Sequence, residues 1–71
     1  MNNSSRAVAY LKARPGRIIS YEELYEAVWE VPPSEGFRNT LQATVCIARR
    51  NLKVGQIYSV RDLGYIFKEV V

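Results

Sequence analysis

Ser20-Tyr21-Glu22-Glu23-Leu24-Tyr25-Glu26-Ala27-Val28-Trp29 is the stretch whose reading decides the fold. Ser20 and Glu23 stand three residues apart, just ahead of an apolar run. That is the spacing of a capping box, in which each side chain satisfies an otherwise orphaned backbone N–H at the start of a helix. Glu22 and Glu23 also complement the positive end of the helix dipole. Tyr21, Leu24, Tyr25 and Val28 recur at helical spacing and form one buried stripe, and Trp29 closes the element. The pattern predicts a helix over 20–29.

Working outward toward the N-terminus, Pro15-Gly16 stops an earlier helix, because proline cannot continue it and glycine accepts a left-handed turn. That first helix is predicted over 5–14, with Ser4 or Ser5 as N-cap and Ser4, Ala7, Val8 and Leu11 as its inward stripe. Ile18-Ile19, between the two helices, is too short for more than a bridge-like strand. In the other direction, Val31-Pro32-Pro33-Ser34-Glu35-Gly36 reads as a loop, since two prolines and a glycine forbid regular structure.

A third helix is predicted over 38–52. Leu41, Val45, Ala48 and Leu52 fall within about 60° of one another on a helical projection and face the core. The opposite face gathers Asn39, Ala43, Cys46, Ile47, Arg50 and Lys53, flanked by Thr40, Gln42 and Arg49. Gly55 then breaks the chain. Ile57-Tyr58-Ser59-Val60 and Tyr65-Ile66-Phe67 are β-rich runs joined by Arg61-Asp62-Leu63-Gly64, which reads as a hairpin over 57–68. Leu11, Leu24, Val28, Leu41, Val45, Leu52, Ile57 and Phe67 are the expected shared core, with Tyr21, Tyr25, Tyr65 and Trp29 also inward. Three helices followed by a hairpin define an α+β winged helix-turn-helix, a three-helix core with a C-terminal β-hairpin wing. Its 71 residues are expected to form a single domain, 1–71.

Composition narrows the function. The chain has no histidine and one cysteine, Cys46, which removes Ser-His-Asp and Cys-His catalysis, an intrachain disulfide and the usual zinc sites. The expectation is no enzyme, no cofactor and no metal. No apolar run approaches the ~18 residues of a membrane span, and the polar opening carries no signal-peptide core, so a cytoplasmic protein is expected. The net charge of +3 is modest but unevenly placed. Residues 1–17 hold Arg6, Lys12, Arg14 and Arg17 without an acid. Residues 20–37 hold Glu22, Glu23, Glu26, Glu30 and Glu35 without a base. Residues 38–61 hold Arg38, Arg49, Arg50, Lys53 and Arg61, again without an acid. Such segregation turns one face toward a polyanion, or else is ordinary solvated surface.

Three segments carry a family resemblance. Arg14 to Trp29 resembles the exit of the first helix and the second helix of OmpR/PhoB-type winged helix-turn-helix domains, the DNA-binding effector ends of response regulators in two-component systems. Thr40 to Leu52 resembles their recognition helix, and Ile57 to Tyr65 their wing. The likeness runs over roughly residues 8 to 67, with the three landmarks in order and at the right spacing.

The resemblance implies a transcription regulator whose third helix enters the major groove of double-stranded DNA while the wing arginine enters the adjacent minor groove. Arg61 occupies that wing position, and Ser59 matches a threonine that bonds phosphate. Arg49 and Arg50 match basic positions late in the recognition helix. Thr40, Gln42 and Thr44 match positions used for capping, polar and backbone contacts. The implied partners are DNA and, through the loop 31–36, RNA polymerase. The domain is expected to be monomeric alone and to pair on tandem DNA sites. Three departures stand out: Cys46 and Ile47 replace frequent arginines, Asp62 replaces the wing glycine, and no four-stranded sheet precedes the first helix.

Other readings stand beside these. The apolar patch of Ala43, Cys46 and Ile47 could bind a protein, which would make the chain a winged-helix protein-interaction module. Ile47 alone could be surface scatter, and Cys46 either a small helix residue or a redox sensor. The loop 31–36 is equally readable as a plain connector, and the five glutamates as a solvated acidic face turned from DNA.

Overall fold

The helix signalled by the capping box is present as α2, Tyr21–Trp29, in a computed structural model that describes residues 2–52 and 56–69. Ser20 is its N-cap, and the hydroxyl accepts from the Glu23 N–H at 3.0 Å. Leu24, Tyr25 and Val28 are buried and Tyr21 is half-buried. The helix ends on Glu30, which takes the left-handed conformation (φ 60) usually left to glycine and donates its N–H to the Glu26 carbonyl.

α1 spans Asn3–Lys12, two residues earlier than the sequence pattern suggested. Its cap is Asn2, not Ser4 or Ser5. The Asn2 side-chain oxygen accepts from the Ser5 N–H and from the Ser4 hydroxyl, each at 2.8 Å. Asparagine caps as well as serine does, and the shift lets Ser4 turn inward beside Ala7 and Leu11. At the other end Arg14 precedes Pro15 and is disfavoured in helical geometry, so the helix closes at Ala13. Gly16, at φ 79, completes the turn, and its N–H donates to the Phe67 carbonyl at 2.9 Å.

β1 is two residues long, Ile19–Ser20. α3 spans Phe37–Asn51, and β2 (Gln56–Val60) and β3 (Gly64–Lys68) form the C-terminal hairpin. All pairing is antiparallel, in the order β1-β3-β2, with Ile19 opposite Tyr65 and Ile57 opposite Phe67. Gly64 makes the β1 contact possible: a Cβ on it would lie 1.9 Å from the Ile19 carbonyl oxygen. The hairpin is thereby clasped to the helical body rather than hanging from α3.

One core joins the six elements of the described residues. Ala7, Leu11, Ile19, Leu24, Val28, Leu41, Val45, Ala48, Ile57, Tyr65 and Phe67 pack together. Leu52, expected inside, is only half-buried, because α3 ends one residue before it and the chain turns extended there. Tyr21 and Trp29 likewise pack on the rim of the core. The joint between α2 and α3 is aromatic: Tyr25 stacks on Trp29 at 4.6 Å and meets Phe37 edge-on at 5.4 Å. The expected break at Gly55 lies outside the described residues.

Candidate nucleic-acid interface

α3 buries Leu41, Val45 and Ala48 against the core, so the helical period carries Asn39, Thr40, Gln42, Ala43, Cys46, Ile47, Arg49 and Arg50 to the surface. Thr44 is half-buried at the edge of that face. Ile47 keeps 50% of its surface exposed, an aliphatic side chain left half open among the described residues. Lys53, expected on the same side, lies outside the described residues. The helix starts without a side-chain cap, since its N-cap is Gly36 at φ 82.

Ser59 and Arg61 are both exposed on the hairpin. The wing turn runs from Val60 to Leu63, with the Leu63 N–H donating to the Val60 carbonyl at 3.0 Å. Its third residue, Asp62, sits at φ 63. A turn with positive φ there is made for glycine or asparagine, so the aspartate holds a conformation that favours the residue it replaces. The glycine that follows, Gly64, serves the contact with β1 instead. Leu63 beside the turn is 55% exposed.

The cations divide into those engaged within the chain and those facing outward. Arg6 reaches Glu30 at 3.5 Å and the Val28 carbonyl at 3.3 Å. Arg17 pairs with Glu23 at 3.1 Å. Arg14 lies over the Tyr10 ring, and Arg38 over the Tyr21 ring. Tyr10 donates its hydroxyl to the Glu23 carboxylate, and this hydrogen bond, followed by burial, raises its pKa above the ordinary tyrosine value. Burial, followed by the neighbouring Tyr21, raises Tyr65 in the same way. Arg50 and Arg61 make no salt bridge among the described residues.

Arg49 is a case the sequence missed. Its Nε donates to the Ile57 carbonyl and its Nη2 to the Ser59 hydroxyl, both at 2.9 Å, with the Tyr65 ring 5.7 Å away. The side chain ties the last turn of α3 to β2. No acid pairs with it among the described residues, so its charge stays available, and three of its five N–H donors remain. Sequence spacing alone gives no sign of this tie, because it depends on how the hairpin folds back.

A helix-turn-helix in α2 and α3, with an exposed basic helix face followed by a clasped hairpin bearing an arginine at its turn, defines a winged helix-turn-helix protein. The family model described as "Transcriptional regulatory protein, C terminal" matches residues 2–67, and the chain belongs to that family, the OmpR/PhoB-type DNA-binding domain of transcription regulators. None of the curated proteins compared matches the chain significantly. No helix among the described residues is long and apolar enough to cross a membrane.

Proposed function

We propose that this cytoplasmic, non-enzymatic domain, formed by residues 1–71 as one unit, binds duplex DNA with α3 in the major groove and the hairpin in the adjacent minor groove. The observation that carries this reading is the placement of Arg50 and Arg61. They lie on two different elements, both exposed, in a stretch from 38 to 61 that contains five cations and, Asp62 lying just beyond it, no acid. Arg61 suits the concentrated negative potential of a minor groove. Asn39, Thr40, Gln42, Ala43, Thr44, Cys46 and Ile47 then face base edges and sugar-phosphate, while Arg49, Arg50, Lys53 and Ser59 serve the phosphates. The acids of α2 stay off the DNA. The loop 31–36, exposed except at half-buried Pro33, is the surface for a polymerase contact, and the domain is a monomer until it pairs on tandem sites.

The test is a salt titration of binding to random duplex DNA. If Arg49, Arg50, Lys53 and Arg61 each neutralise a phosphate, log K falls against log salt with a slope of about −0.9 times four, roughly −3 to −4. Arg61→Ala weakens binding and flattens the slope by about one. Binding indifferent to salt, and untouched by charge reversal at Arg50 and Arg61, would support the other reading. That is a protein-interaction module using the exposed Ala43, Cys46 and Ile47 patch.

A further inference from the structure

The middle of the exposed face of α3 is apolar, and it stands where base edges are read if the helix enters the major groove. Ala43, Cys46 and Ile47 are all exposed, and none carries a charge or a strong hydrogen-bonding group. Arg50 lies one turn further along the same stripe, and Asn39 one turn before it. The patch is therefore bracketed by groups that suit phosphates or polar edges, and its occupant must be apolar while its surroundings are anionic.

We propose that this patch reads thymine methyl groups and that Ile47 is the principal specificity-determining residue. The inference rests on the DNA-binding reading above. The C5-methyl of thymine is the one bulky apolar group on the major-groove edge, which otherwise presents chiefly hydrogen-bond donors and acceptors. An aliphatic side chain set against a G·C pair would strip water from the guanine acceptors and the cytosine amino group without replacing it, which penalises G·C. Against A·T, the methyl is buried at a gain. Ala43 and Ile47 are one helical turn apart, about 6 Å along the axis, which corresponds to roughly two base-pair steps. The favoured core is two or three consecutive A·T pairs, set between flanks held by phosphate contacts.

The experiment selects binding sites from a random duplex library with the intact domain, then measures affinity after replacing single thymines by deoxyuridine, which lacks only the methyl. Selected sites carry A·T pairs at their centre. Removing a contacted methyl weakens binding about fourfold, the worth of one buried methyl group. Ile47→Ala, a surface change checked by circular dichroism, abolishes that sensitivity while leaving the salt slope intact. Ile47→Arg moves the central preference toward guanine, which a guanidinium can bind with two hydrogen bonds. Central G·C preference, deoxyuridine without effect, or full methyl sensitivity in Ile47→Ala overturns the proposal. Salt-dependent binding with no sequence preference overturns it too, but leaves the DNA-binding reading standing. Absence of any DNA binding overturns both.

Discussion

Asp62 holds a left-handed backbone at the third position of the wing turn, with a carboxylate next to the arginine expected to meet DNA. The conformation costs an ordinary residue about 1–2 kcal/mol, partly offset by the tolerance of aspartate for local hydrogen bonding. Asp62→Gly should stabilise the domain by about 0.5–1 kcal/mol, read as a rise in denaturant midpoint. It should also tighten DNA binding, because a like-charged neighbour of the phosphates is removed. A second single-residue effect lies at Tyr10. Its raised pKa means that the folded state keeps a proton which the unfolded chain gives up. Stability from this group is therefore complete below pH 10.0, the ordinary tyrosine value, and is lost as pH rises through the higher folded value. Tyr10→Phe should cost about 1 kcal/mol at neutral pH through the lost bond to Glu23, and should flatten the alkaline fall in melting temperature. Tyr65, raised mainly by burial, leaves a residual slope.

Among the elements, the hairpin shows most clearly what is local and what is not. Its strands were legible as two β-rich runs around a turn, and α2 was legible from a capping box, because such signals act over three or four residues. The N-cap of α1 was misplaced because Asn2 and Ser4 cap about equally well, and packing rather than propensity chose between them. Phe37, Gly64 and Arg49 were invisible as structural agents, since each acts on a partner 8 to 45 residues away in sequence. The exposed face of α3 was legible from period alone. That Arg49 and Ser59 bond to each other was not. Arg49→Met should loosen the hairpin by about 1 kcal/mol without DNA present. Hydrogen exchange should report it as lost protection in β2, with α1 and α2 little changed. Ser59→Ala, which removes only one of the two bonds, should do less.

For the molecule as a whole, the described elements all contribute to one core cluster, so they are expected to unfold together. Val45 is fully buried from α3 among residues drawn from the helices and the sheet. Val45→Ala should cost about 2 kcal/mol, against a total stability on the order of 5 kcal/mol for a chain of this length. Loss of the helical and hairpin signals should remain coincident, shifted together to lower denaturant. The core was largely foreseen, since apolar stripes at a helical period can point only one way. The rim was not: Leu52, Tyr21 and Trp29 sit at its edge, where the end of an element decides burial.

The aromatic joint between α2 and α3 also gives the protein an internal optical reporter. Trp29 is the only tryptophan in the chain, and its ring lies against Tyr25 at an interplanar angle of 16°. Tyr58 and Tyr65 belong to the hairpin, and Tyr65 meets Tyr21 edge-on. Light absorbed by tryptophan alone therefore senses the packing of the helix-turn-helix, while tyrosine ellipticity also senses the wing. Two chromophores on opposite sides of the Arg49 tie would separate fraying of the wing from collapse of the body, with no label attached.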